Sequence, residues 1–245
     1  MPLTSKRVPV LVAVVVICIG LVGVSLYFLS GGHGGKAPAP ETEKQTDTFT
    51  FFGLGPSTKL SDALRSKLDD LLGDGGVETQ TTIDLTMDGV EDFSAHFPRL
   101  QALHEALNYL PRQRVEHDTI QLTYRYARRQ SVPFDRVRLV FSGERKTPLF
   151  FSLYSKRDGA DFIESIRKKH GPPKTIGDEN TPARTLYWEK EDALLIISIS
   201  RNRTGYNEYN FGIYYLDNLA ALADREKQAR EAAEKEKEKT GELAF

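Results

Sequence analysis

From Val8 to Leu29 the chain runs for 22 residues without a charge, VPVLVAVVVICIGLVGVSLYFL. As an α-helix rising about 1.5 Å per residue, this stretch is about 33 Å long, which matches a hydrocarbon core of about 30 Å. Lys6 and Arg7 stand immediately before it, and the next basic residue is Lys36. That asymmetry predicts a cytoplasmic N-terminus over residues 1–7, a single-pass signal anchor over 8–29, and everything beyond on the outer side. A cleaved signal peptide is the competing expectation. It normally carries a shorter apolar region that ends in small residues, whereas Leu26-Tyr27-Phe28-Leu29 closes this one.

The sole cysteine, Cys18, falls inside the apolar run. The rest of the chain therefore has no disulfide, no thiol nucleophile and no cysteine metal site, a composition compatible with an oxidising compartment such as a periplasm. Gly31 to Gly35, interrupted by His33, precede Lys36-Ala37-Pro38-Ala39-Pro40 and a polar run. Residues 30–50 thus form a flexible Gly/Pro linker. A glycine-rich segment cradles phosphate when it joins a strand to a helix, and this one follows an apolar span instead.

Residues 51–217 carry the pattern of a soluble α+β domain. Ser57 or Thr58 is placed to cap a helix with Leu60, Leu64, Leu68, Leu71 and Leu72 on one stripe, ended by Gly73. Ile83, Leu85 and Met87 alternate as a strand. Val90 to Leu110 form a second helical stripe, broken or kinked at Pro98. Beyond Asp118 the period becomes two, with Ile120, Leu122, Tyr124 and Tyr126 on one face, then Val137 to Phe141 and Leu149 to Leu153. Asp158 is a cap for a helix that Gly171 and Pro172-Pro173 stop. Three further strands follow at 185–189, 194–200 and 209–215. Grouped strands on short loops predict an antiparallel sheet of about six or seven strands with three or four helices, behind the N-terminal transmembrane helix. No internal repeat is clear, with distant copying of the two three-strand groups left as an open alternative.

Residues 218–245 form a charged helical tail. From Asp224 to Lys239 it holds six acidic and six basic residues and no apolar side chain larger than alanine. Glu226–Arg230 and Glu231–Lys235 have the spacing of favourable pairs, Glu234–Glu238 and Lys235–Lys239 oppose them, and a coiled-coil seam is missing. The expectation is a solvated, fraying helical extension.

Catalytic patterns are scarce. The sequence contains no G-x-S-x-G elbow, no H-E-x-x-H and no Walker loop. Asp92, His96, His104 and Glu105 are the nearest approach to a metal cluster, but Pro98 disturbs their helical spacing. Glu116-His117-Asp118 is an acid–base triplet at a strand mouth whose neighbours point to opposite faces. Asp178-Glu179-Asn180 lacks calcium-loop spacing, and Asn202-Arg203-Thr204 matches a glycosylation sequon relevant to a eukaryotic source. No cofactor or metal is called for.

The informative feature is basic. Overall charge is -1, yet Arg112 to Lys146 hold nine Lys or Arg against four acids. Strand alternation points Arg125 away from Tyr124 and Tyr126, and Arg136 and Arg138 away from Val137 and Leu139. Three guanidinium groups on one solvent face suit a carboxylate or phosphate partner. The sequence therefore predicts a non-enzymatic, membrane-anchored extracytoplasmic binding or assembly module of the cell envelope. Its expected partner is an envelope protein or an anionic surface, and its location speaks against nucleic acid. The alternative is an envelope enzyme or small-ligand sensor with a pocket near Glu116–Asp118 and Trp188.

Overall fold

The computed structural model describes residues 48–110, 112–156, 159–178 and 183–243. The expected span over 8–29, most of the linker, the Asp158 cap and Glu179-Asn180 lie outside these residues. Among the described residues, no helix is long and apolar enough to cross a membrane.

The described chain is α+β, with an eight-stranded antiparallel sheet and five helices. In chain order these are α1 (Asp62–Leu72), β1 (Gly76–Thr81), α2 (Phe93–His96), α3 (Pro98–Leu107), β2 (His117–Tyr124), β3 (Arg136–Ser142), β4 (Pro148–Ser155), α4 (Gly159–His170), β5 (Lys174–Ile176), β6 (Arg184–Glu189), β7 (Ala193–Arg201), β8 (Asn207–Tyr215) and α5 (Leu216–Leu243). The strand order is β1-β2-β3-β4-β8-β7-β6-β5. Two runs of four strands paired in chain order thus meet where β4 pairs with β8, each run followed by a helix. Those two helices pack on opposite sheet faces, so the likeness of the halves stops at the strands.

Local rules account for most elements. Ser61, rather than Ser57 or Thr58, caps α1: its hydroxyl accepts from the Leu64 amide at 3.2 Å. Thr58 is engaged in the preceding turn, where its hydroxyl accepts from the Gly55 amide at 3.0 Å. Gly73 ends the helix with φ 86, a conformation that costs glycine little. Leu68 and Leu72 are buried as the stripe predicts, whereas Leu71 is left exposed. Pro98 is the first residue of α3, where its missing N–H costs nothing, and the chain breaks before it at Phe97.

One expected strand is absent. Ile83 and Leu85 are buried, but their backbone joins no ladder: the Ile83 carbonyl accepts from Asn108 at 3.0 Å and the Leu85 amide donates to His104 Nδ1 at 3.3 Å. The alternation records one side packing on a hydrophobic layer while α3 side chains satisfy the peptide groups. The true edge strand is the preceding β1, whose polar residues give no period-two signal. The three-residue β5, behind Pro172-Pro173, was also illegible.

Both sheet faces are covered, which explains why β4 and β7 are almost continuously apolar. On the first face Leu139, Phe141, Phe151, Leu153, Ile197 and Phe211 pack beneath α1, α4 and the strap Phe49–Leu54. The Tyr215 hydroxyl ties that strap down by donating to the carbonyls of Phe49 (3.2 Å) and Leu54 (3.0 Å). On the second face Val140, Phe150, Leu194, Ile196 and Tyr214 pack against Ile83, Leu85, α3 and the start of α5.

Candidate functional site

The helices on the second face cover only part of it. Register places one row across the sheet as Thr123, Arg138, Ser152 and Gly212, and the next as Arg136, Tyr154 and Asn210. These rows are polar where the helix-covered row is Val140, Phe150 and Tyr214. Apart from glycine and the exposed Arg136, their side chains are half-buried.

Arg136 and Arg138 are two residues apart on β3, so they share this face at about 7 Å along the strand. The Arg136 guanidinium lies 5.6 Å from the Tyr154 ring centre and that of Arg138 lies 5.4 Å from the Phe150 ring. These are cation–π placements that hold the planar groups in position. Burial pulls the Arg138 guanidinium below its ordinary pKa. The Tyr214 phenol, Asp84 and Glu78 oppose that shift, and the charge of Arg136 adds to it. The group nevertheless remains a cation.

Arg125, the third arginine expected here, does not join them. β2 ends at Tyr124, whose hydroxyl donates to Asp69 at 3.0 Å, and the chain turns into the short 3₁₀ segment Ala127–Gln130. Alternation projects a residue onto a face only while the strand continues, so Arg125 is exposed in the turn. Tyr126, expected on the apolar face, is 65% exposed and carries Arg129 over its ring at 4.5 Å.

The remaining candidates are placed apart. His117 is 1% exposed, and its Nδ1 lies 2.8 Å from Glu226 of α5, while Nε2 is buried without a hydrogen-bond partner. Glu116 and Asp118 are both exposed, and Asp118 lies 3.7 Å from Arg225. Trp188 is buried on the first face, and its ring N–H donates to the Gly171 carbonyl at 2.9 Å. β2 and β6 are five strand spacings apart, about 24 Å, so these residues line no common pocket. Asp92, His96, His104 and Glu105 do not converge. His104 accepts from Leu85, Glu105 accepts from Gln101 at 2.8 Å, and His96 is exposed. Asn202 folds its own turn by accepting from the amides of Thr204 and Tyr206, each at 3.0 Å.

A cavity of about 330 Å³ lies between α4 and strands β6 to β8, lined by Asp161, Glu164, Arg167, Arg184 and Tyr209. One of its two arginines is answered from the same helix, where Arg167 donates to Glu164 at 3.0 Å.

Sequence reasoning missed the clamp on α5. The expected Glu226–Arg230 pair does not form. Glu226 reaches His117, and Arg230 lies 3.7 Å from the Tyr109 ring centre. Arg225 bonds Glu144 at 2.6 Å. No feature of the tail distinguishes these residues from the solvated ones beyond them. Replacing Glu226 by leucine is expected to lower stability by about 1–3 kcal/mol, because His117 then has no partner on either ring nitrogen. The double replacement His117→Phe with Glu226→Leu should lose less than Glu226→Leu alone, as read by denaturant unfolding of the two variants.

The chain matches no protein-family model, no curated protein and no solved structure.

Proposed function

We propose that the chain is a membrane-anchored binding or assembly module of the cell envelope. In this arrangement residues 8–29 anchor it with the N-terminus in the cytoplasm, and the Gly/Pro linker is the tether, ending before Phe49, which is buried in the strap. The α+β domain meets an envelope protein or an anionic surface on the outer side. A tether of about fifteen to twenty residues reaches about 20–25 Å as a flexible coil, so the domain acts close to its own membrane. The observation that carries this function is Arg138: a half-buried cation that makes no hydrogen bond or ion pair with any described residue. Keeping such a charge partly out of water costs free energy, and an incoming anion offsets the cost.

A photo-crosslinking amino acid at Thr123, beside Arg138 on β2, tests it in intact cells. The expected result is a discrete crosslinked partner from Thr123 and none from Lys235, together with digestion of the domain by protease added to spheroplasts. A domain shielded from that protease, or no Thr123-specific product, counts against the proposal.

A further inference from the structure

We propose that Arg136 and Arg138 form a binding site for a single oxyanion, a phosphoryl or carboxyl group held between two fixed guanidinium forks. This deepens the binding-module function and rests on it, since it names the chemistry taken by the same sheet face. The first argument is that the carboxylates near the arginines are committed elsewhere. Asp135, next to Arg136, accepts from the Lys156 amide at 2.8 Å. Asp84 accepts from the Thr86 amide at 2.9 Å and the Thr86 hydroxyl at 2.7 Å, with His104 at 3.8 Å. Glu78 accepts from Gln121 at 3.3 Å. Glu208 takes a hydrogen bond from Tyr154 and another from Asn202 at 3.3 Å. These acids temper the local field without closing an ion pair on either arginine.

The second argument is the neutral surround. Ser152 stands opposite Arg138 on β4, and Asn210 lies one strand beyond Tyr154, in the row of Arg136. Neither side chain hydrogen-bonds to a described residue. A hydroxyl and an amide therefore flank the two cations as further donors. The third argument is the like charge itself. Two cations carried two residues apart on one strand raise each other's cost, as the lowering of Arg138 by the charge of Arg136 records, and one bound anion relieves both. A planar fork braced on an aromatic ring presents paired N–H donors to two oxygens of one group, which a lysine ammonium does not reproduce.

The full chain in neutral detergent at about 0.15 M salt, where long-range attraction between exposed charges is largely screened, provides the test. It is titrated by calorimetry with inorganic phosphate, acetate and dihexanoyl phosphatidylglycerol below its micellar concentration. Saturable binding of at least one probe is expected. Arg138→Met and Arg138→Lys should each weaken it at least tenfold, and Arg136→Met severalfold, while Arg145→Met changes nothing. An unchanged far-ultraviolet spectrum and melting temperature would show that Arg138→Met remains folded. Preference for the lipid places the group on a headgroup, and preference for a free anion places it on a soluble ligand; both support the site. No saturation by any probe, or binding that survives Arg138→Lys undiminished, overturns it. A Thr123 crosslink without oxyanion binding removes this site and leaves the binding module standing. Loss of both removes both.

Discussion

Removing residues 216–245 should abolish cooperative unfolding, while removing only 231–245 should change stability by no more than about 0.5 kcal/mol. The contrast follows from where α5 stops touching the sheet. Leu216, Leu219 and Leu222 are at most 4% exposed and Ala223 is 8% exposed, all on the layer that covers Val140, Phe150, Leu194 and Tyr214. Burying a leucine side chain is worth about 1.5–3 kcal/mol, so three approach the 5–15 kcal/mol net stability of a typical domain. Losing them also uncovers the sheet face beneath. Glu226, Arg225 and Arg230 continue the contact for two more turns, and residues 231–240 are then all exposed. Circular dichroism melts of the two truncated chains decide the matter. Comparable losses from both, or a sharp melt from the shorter chain, would show that the helix is not divided in this way.

Phe211→Ala should cost about 3–5 kcal/mol, the largest loss expected from a single side chain here. Phe211 sits on β8, in register between Leu153 of β4 and Ile197 of β7, and is 0% exposed. Its ring meets Phe134 at 5.7 Å, Phe162 at 5.3 Å and Tyr209 at 6.4 Å, so one substitution removes three aromatic contacts and leaves a cavity in a layer that α4 holds rigidly. Phe211→Leu keeps most of the volume and should lose only about 1–2 kcal/mol. Urea unfolding should show a lower midpoint with an unchanged slope for both. Equal losses for the two variants would mean that packing at this point does not set stability.

Much of the fold was legible as period. β2, β3, β4, β6, β7 and β8 lie close to their expected positions, because strands with at least one buried face must alternate or run apolar. The break at Pro98 and the stop at Gly73 were legible because one residue type imposes each. β1 and β5 were hidden, being short, polar and at the edges, where pairing to a neighbour rather than burial makes the strand. Ile83 to Met87 misled for the converse reason, since burial on one side produces alternation whether or not a ladder forms.

The candidate site divides along the same line. Arg136 and Arg138 share a face because they are two residues apart on one strand, and that much is written in the chain. Alternation alone makes Arg125 equivalent to them, but β2 ends at Tyr124 and the equivalence ends with it. Whether the arginines are paired depends on Asp84, Glu78 and Glu208, brought near from other segments and already hydrogen-bonded there. The tail likewise read as uniformly solvated, because its charges are evenly spread and no local rule marks those opposite His117, Glu144 and Tyr109.

Local periodicity and the conformational demands of proline and glycine act over a few residues, so sequence alone established the α+β class, most strands and the shared side of two arginines. Sheet order, the second covering layer, the clamp on α5 and the unpaired state of Arg138 depend on segments distant in sequence being brought together, such as β1 with β2, β4 with β8 and His117 with Glu226. Such contacts form where buried area and hydrogen bonding outweigh the entropy of closing long loops, and that balance is struck by the assembled layers.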